Sequence, residues 1–404
     1  MPIDSSRQHK TGRMKVLYVI DSVGVGGAET SLLNISSRFS TVDPVVCHLY
    51  PRDYNDLKSD FREAGTRVIS LDIRKKRGYG EAVWRVHDVV QQEKPDVIHG
   101  ILFNAEVVAR LVARMTGIPL VGSFVNDSYS ATRRRGMTLK RRVKLRLVQA
   151  ADALTARWVD HFVSISETVK RSNARALRIP LDRISVIFRG RNPTPFIDRP
   201  EGEEHSLRSA LGLSEDASVV LNVARLLYRK GQEELIAGFA RLKERRPDAH
   251  LLIAGEGPDR SQVEAVIDRL GTHDYVHLLG RRNDVAALLN LADVFAFPSH
   301  YEGHGGALIE AMFAGCPIVA SDTAVHRESV THGETARLVS LKDPAALAQG
   351  IEWMLDHPEE ARQYGQRARG VAMERFHIDH IAQQHEKLYM KVLEKHRSTE
   401  VEHG

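Results

Sequence analysis

Short apolar runs, each closed by a turn residue and followed by a helical pattern, recur along almost the whole chain, and this alternation constrains the fold more than any other feature. Lys15 to Ile20 is the first such run. It ends at Asp21, and Gly24 to Glu29 then leads into a helical spacing through Leu32, Leu33 and Ile35. Further strands are predicted at Val45 to Tyr50, Val68 to Leu71, Asp96 to His99, Leu120 to Val125, His161 to Ile165 and Ile184 to Ile187. Helical segments around 55 to 64, 80 to 93 and 105 to 116 separate them. A second series runs through Val219 to Ala224, His250 to Ala254, Val276 to Leu279, Val294 to Phe297, Ile318 to Ser321 and Ala336 to Val339. Strands that alternate with helices imply a mostly parallel sheet covered on both faces.

Between the two series, Arg189 to His205 is rich in proline and charge and has no apolar period, which predicts a linker. The expected organisation is a disordered arm over 1–13, a doubly wound domain over 14–190, a linker over 191–205 and a second doubly wound domain over 206–376. A last helical segment, 377–404, closes the chain. The fold class is therefore α/β, with two Rossmann-like domains expected to face each other across a cleft, because ligands of such sheets bind outside the C-terminal strand ends.

No run of eighteen apolar residues exists, and Met1 to Arg13 lacks the apolar stretch of a signal peptide, so a cytoplasmic protein is expected. Cys47 and Cys316 both lie in apolar segments, which argues against a disulfide framework and a thiolate metal site. The nineteen histidines show no HxH or HExxH spacing, so no metal is expected.

The richest segment is Pro298 to Met312, a glycine loop between an apolar strand and a helix that Gly315 and Pro317 stop. The amides of His304, Gly305 and Gly306 would face an anion at the positive helix end. Glu302 and Glu310 would flank it, one holding a sugar and the other a ribose through vicinal hydroxyls. After Val219 to Ala224, Arg225 offers a planar fork and Lys230 a compact charge to the same diphosphate. The spacing Glu302-x7-Glu310, with its flanking Pro-Ser and Ala-Met, resembles the signature of retaining glycosyltransferases of family 4, which have the GT-B architecture. In that family the matching Arg and Lys neutralise the donor diphosphate, so neither metal nor cofactor is implied beyond a nucleoside-diphosphate sugar, with UDP the expected base. Gly255 and Gly257, and the turn at Arg281 and Arg282, resemble the family's donor-domain turns; the latter would meet the base through backbone groups. Glu328 matches a family glutamate, although Ala324 and Val325 replace the usual glycines.

On the acceptor side, Gly26 and Gly27 belong to a Gly-Gly-Ala-Glu loop similar to one in that family. The loop departs from a G-x-G-x-x-G fingerprint in its last glycine place, which disfavours a nicotinamide enzyme. His99 ends a strand and could touch a sugar or serve structurally. Many relatives carry a histidine after the strand matching Leu120 to Val125; here Asn126 or Asp127 would take that role, as a sugar contact and a proton acceptor, or act as turn formers. The chain between Asp127 and Asp152 holds eight cations, Arg133, Arg134, Arg135, Lys140, Arg141, Arg142, Lys144 and Arg146, and no acid. Leu139, Val143, Leu147 and Leu154 recur there at helical spacing. Such a helix suits an anionic membrane surface at residues 133–146, or else packs its stripe on its own sheet. No aromatic interleaving supports nucleic acid.

The resemblance implies transfer of a sugar to an acceptor hydroxyl, free or lipid-linked, in a cytoplasmic or membrane-peripheral setting. A sugar-nucleotide epimerase and a non-catalytic scaffold are the alternatives.

Overall fold

The computed structural model describes residues 12–24, 26–51, 56–74, 78–129, 137–198 and 202–403. Two compact units result: the first runs to Gly190 and takes in the chain again from Ile378, and the second is Arg191–His377.

In the first unit the strands are β1 (Met14–Ile20), β2 (Val42–His48), β3 (Arg67–Ser70), β4 (Val97–Ile101), β5 (Leu120–Phe124), β6 (His161–Ser164) and β7 (Ile184–Val186). They form a parallel sheet in the order β3-β2-β1-β4-β5-β6-β7, so the strand order reverses between β1 and β4. β2 begins earlier than the apolar pattern suggests, because it takes in Pro44. Pro44 sits opposite Val16, one residue before β3 begins its pairing at Val45. The missing N–H thus falls beyond the end of the neighbouring strand, where it breaks no ladder bond.

One sheet face packs under Val86, Val108, Val112 and Val169 of its helices. The other carries Val16, Tyr18, Val46 and Val97 and is covered by Leu32 and Ile35 together with Ile378, Ile381, Tyr389 and Val392. The last four belong to the long helix Ile378–His403, which shares the core of the first unit although it lies almost 200 residues beyond β7.

The second unit holds β8 (Ser218–Val223), β9 (Ala249–Ala254), β10 (Val276–Gly280), β11 (Val294–Phe297), β12 (Ile318–Ser321) and β13 (Arg337–Val339). Their order is β10-β9-β8-β11-β12-β13, again parallel, with the reversal between β8 and β11. Strands such as β11, with every residue buried, read as continuous apolar runs because helices cover both faces.

The segment 191–205, expected as a linker, carries helical structure in part. It supplies a helical turn at Thr194–Ile197, with proline at its start, and the beginning of the helix Glu203–Ala210, and it belongs to the second unit. Arg191 also bridges to His377. These helical pieces pack on the helices Val285–Leu291 and Gly306–Ala314 of that unit.

Candidate functional site

In the second unit the strand order reverses between β8 and β11, and the C-terminal strand ends at such a reversal are where ligands of doubly wound sheets bind. Arg225 follows β8, and Gln232 Nε2 donates to its carbonyl at 3.0 Å. The chain then makes a tight turn at Tyr228–Lys230 and enters the helix Gln232–Lys243 through Gly231. Gly231 has φ +73°, and a Cβ there would overlap the carbonyl oxygen of Pro298. Glycine is thus needed both for the left-handed turn and for the approach of the β8 loop to the β11 loop. His300 N donates to Arg229 O at 2.8 Å across the same seam.

This approach places Lys230 against Glu302. The two form an ion pair, and the side chains are only 14% and 8% exposed. Arg229 adds a second cation at 3.6 Å and stacks over the Tyr301 ring. Burial alone would raise the Glu302 carboxyl, but Lys230 and then Arg229 outweigh it and hold it below the usual carboxylate range. Arg225, by contrast, is exposed and makes no side-chain ion pair among the described residues.

The loop after Glu302 ends at Gly305, the N-cap of the helix Gly306–Ala314. The carbonyl of Gly305 accepts from the amides of Leu308 and Ile309, while the Gly306 and Ala307 amides meet no backbone acceptor among the described residues. His304 turns its side chain inward, where it is buried edge-on to the Phe376 ring. Any ligand contact from this residue would therefore come from its backbone. Glu310, one turn into the helix, accepts from Arg191 Nε at 2.8 Å.

Gly255 and Gly257 play a supporting part. A Cβ on either would overlap the carbonyl oxygens of Ala224 and Leu226, so the β9 loop lies directly against the loop that carries Arg225. Arg282 is committed to Asp284 through its Nε at 2.8 Å, and Arg281 is exposed. Arg327 holds Asp322 beside Glu328.

The remaining candidates lie in the first unit. Gly26 caps the helix Gly27–Ser36, and a Cβ on Gly26 or Gly27 would crowd Glu29 or Arg189 respectively. His99 is 2% exposed, and both of its ring nitrogens are engaged, Nδ1 with the Tyr389 hydroxyl and Nε2 with Ser123 Oγ, each at 2.7 Å. Burial keeps it neutral. That geometry suits a positioning residue better than one that touches a substrate. Asn126 Oδ1 accepts from Ser128 Oγ at 2.8 Å, and Asp127 Oδ1 accepts from Ser172 Oγ at 2.6 Å. Arg133, Arg134 and Arg135 lie outside the described residues. The helix Leu139–Thr155 carries the other five cations, and its stripe faces outward, with Leu139 78% and Leu147 68% exposed. Packing of that stripe on its own sheet is thereby excluded among the described residues.

The structure thus brings Arg225, Lys230, Glu302 and the amides after Gly305 to one edge of the second sheet. Sequence reasoning missed Arg191 and Arg229. Arg229 was adjacent to Lys230 and could have been found, whereas Arg191 lies 119 residues from its partner. Among the described residues no group of three or more histidine, cysteine or acidic side chains is placed to hold a metal ion.

Residues 203–371 match the family described as glycosyl transferases group 1, and residues 26–190 match the glycosyl transferase 4-like domain. The chain belongs to the group 1 glycosyltransferases. An uncharacterized glycosyltransferase of Methanocaldococcus jannaschii, MJ1607, is 31% identical over 57% of this chain and 60% of its own length. The N-acetyl-alpha-D-glucosaminyl L-malate synthase of Bacillus anthracis is 29% identical over 46% of this chain and 49% of its own. The alignments therefore span about half to three-fifths of these curated relatives. In fold, the group 1 glycosyltransferase chain is similar to HepE of Anabaena, solved with UDP and glucose, with a TM-score of 0.80 at 22% identity over 93% of this chain and 99% of that one. The two parallel α/β units make the fold GT-B.

Proposed function

We propose that this chain is a retaining glycosyltransferase that moves a sugar from a UDP-sugar to an acceptor hydroxyl. The observation that carries the reading is the Lys230–Glu302 pair at the strand-order reversal between β8 and β11, with the exposed Arg225 following β8 and the amides of Gly306 and Ala307 following β11. A diphosphate bound there would be met by two cations and a helix end, which stabilise the charge that grows on the leaving phosphate as the glycosidic bond breaks. Glu302, held ionised, is suited to accept hydrogen bonds from sugar hydroxyls, and Glu310 from a ribose. No protein nucleophile is needed when the leaving phosphate oxygen takes the acceptor proton on the same face, and no cofactor or divalent metal enters the scheme. The complex of HepE with UDP and glucose supports a uridine donor.

The outward stripe of the helix Leu139–Thr155, flanked by Lys140, Lys144, Arg142 and Arg146, suits docking at an anionic cytoplasmic membrane face. A lipid-linked acceptor is consistent with that placement. No helix among the described residues is long and apolar enough to cross a membrane.

The test is a panel of UDP-, GDP- and ADP-sugars read by thermal stabilisation and by turnover, with the anomeric configuration of the product followed by NMR. Selective stabilisation by UDP and a product of unchanged configuration are expected. Stabilisation by none of the nucleotides would overturn the reading, and isomerised sugar nucleotide formed without an acceptor would replace it with an epimerase.

A further inference from the structure

Glu310 stands one turn into the helix Gly306–Ala314, where a ribose is proposed to meet it. Two physical costs attend that role. A glutamate side chain has several rotatable bonds, and ordering them on a ligand subtracts from affinity. Its negative charge also lies on the helix whose start is proposed to hold a diphosphate, and like charges repel.

Arg191 reduces both costs. Its Nε donates to Glu310 Oε1 at 2.8 Å, and the two side chains are 11% and 21% exposed. Nη2 lies against Gly306, where any Cβ would overlap it, so a glycine at the first helical position leaves room for the guanidinium. A cation at the N-terminal end of a helix opposes the helix dipole. The pairing with Glu310 offsets that opposition, and the backbone fixes where the side chain starts. The Arg191 amide donates to Phe376 O at 3.0 Å, and the residue bridges to His377. Just beyond, the turn Thr194–Ile197 packs on the helix Gly306–Ala314 itself. The Phe376 ring meets the His304 ring edge-on at 5.1 Å between centroids, so the same stretch of chain also braces the loop that leads into the helix.

The contact leaves Glu310 able to bind. An ionised carboxylate has about four lone-pair sites. Nε takes one of them, and the vicinal hydroxyls of a ribose need two.

We propose that Arg191 is a positioning residue for donor binding: it holds the Glu310 carboxylate ready for the two ribose hydroxyls and balances its charge beside the diphosphate. The assignment rests on the reading of Glu310 as the ribose contact. Arg191 acts through Glu310 and takes no part in breaking the glycosidic bond.

The experiment is calorimetric titration of the full chain and of Arg191→Met with UDP and with 2′,3′-dideoxy-UDP, which lacks both hydroxyls. The substitution should weaken UDP about tenfold, the scale of one side chain left to be ordered by the ligand, and the dideoxy nucleotide by no more than about threefold. In turnover of a UDP-sugar, the donor KM should rise while kcat stays within about twofold, because the ribose contact is the same before and during bond breaking. In a Glu310→Gln background, Arg191→Met should cost UDP little more, since the two residues act as one unit. If Arg191→Met does not fold, Arg191→Lys, which keeps the charge but not the planar fork, carries the same comparison with a smaller difference. An equal loss for both nucleotides, a fall in kcat at unchanged KM, or a full further loss in the Glu310→Gln background would overturn the proposal and leave the donor reading standing. A parent that binds neither nucleotide would bring down the donor reading itself. A parent that binds both equally would remove the ribose contact of Glu310, and the role of Arg191 with it.

Discussion

Lys230 and Glu302 meet as an ion pair across the ends of two adjacent parallel strands, β8 and β11, which are 72 residues apart in sequence at the point of contact. The carboxylate is almost fully withdrawn from water, so its charge depends on the partner. This dependence makes the pair both a structural fastener and a charged element of the proposed donor site, and the two roles separate under mutation.

Lys230→Met should leave Glu302 buried with Arg229, at 3.6 Å, as its nearest remaining cation among the described residues. In the intact protein the Glu302 carboxyl titrates below its unfolded value, so its stabilising contribution is present above that value and is lost as pH falls through the folded one. Without Lys230, burial wins and the folded carboxyl titrates higher. The variant should lose about 3 kcal/mol at pH 7, the usual cost of removing one partner of a buried pair. The deficit should shrink as the carboxyl protonates below about pH 4. Urea unfolding at the two pH values checks this; an equal deficit at both would refute the electrostatic account.

Arg225→Ala tests the other role. Its side chain is exposed and makes no ion pair among the described residues, so stability should stay within about 0.5 kcal/mol of the parent. Turnover should fall on the order of 100-fold or more, because a group aimed at leaving-group charge acts mainly in the transition state. Steady-state kinetics beside a melting curve decides it. A large loss of melting temperature, or unchanged turnover, would remove Arg225 from the site.

Much of this architecture was legible in the chain. The strand ends that carry Arg225 and Glu302 followed from apolar runs broken by polar turns, since buried parallel strands leave a strong pattern. Arg225 and Lys230 could be placed beyond such a strand end from their position after the apolar run alone. What could not be read were contacts that depend on how distant segments pack. Glu106 and Arg110 look like a surface pair at helical spacing, yet both are buried with Asp152, which is 42 residues from Arg110. Arg191 looked like a charge in a linker, and only the folded chain brings it to Glu310. His99 looked like a candidate for the chemistry because strand ends often carry it, but nothing local discloses that the helix Ile378–His403 brings Tyr389 onto its ring.

The buried histidines of the first unit should make stability fall as pH is lowered. Burial pulls His385 down to about 4, and it holds His99 well below its usual value; the neighbouring His385 acts on His99 in the same direction. The groups packed around them are Tyr18 and Tyr389, both pushed upward by burial and thus neutral, and Glu386, which is held down by the amides of Thr41 and Ser40 despite its burial. The unfolded chain binds protons near 6.5 that the folded one refuses, so each histidine's contribution is present above that pH and is lost below it. For His385 alone the loss should reach about 2 kcal/mol by pH 5, from a shift of about 2.5 units at 1.36 kcal/mol each. Glu106, raised to about 7, works in the opposite sense. His385→Gln should therefore flatten the decline between pH 7 and pH 5 in a denaturation series, and a slope identical to the parent would contradict it.

Binding to a membrane surface makes a separate demand on the helix Leu139–Thr155. Leu139, Val143 and Leu147 are spaced four residues apart and lie exposed along one stripe, and Lys140, Arg142, Lys144 and Arg146 border it. Each cation near an anionic surface contributes about 1 kcal/mol, and this falls off with salt over a distance of about 10 Å at 0.1 M. Leu147→Asp removes apolar area and places a negative charge in the stripe, and because Leu147 is exposed the fold has little to lose. Sedimentation with phosphatidylglycerol vesicles should drop on the order of tenfold in the variant, and the parent should release as salt rises. Phosphatidylcholine vesicles should hold neither protein. Equal binding to both lipids, or no loss with Leu147→Asp, would leave the stripe without a membrane role.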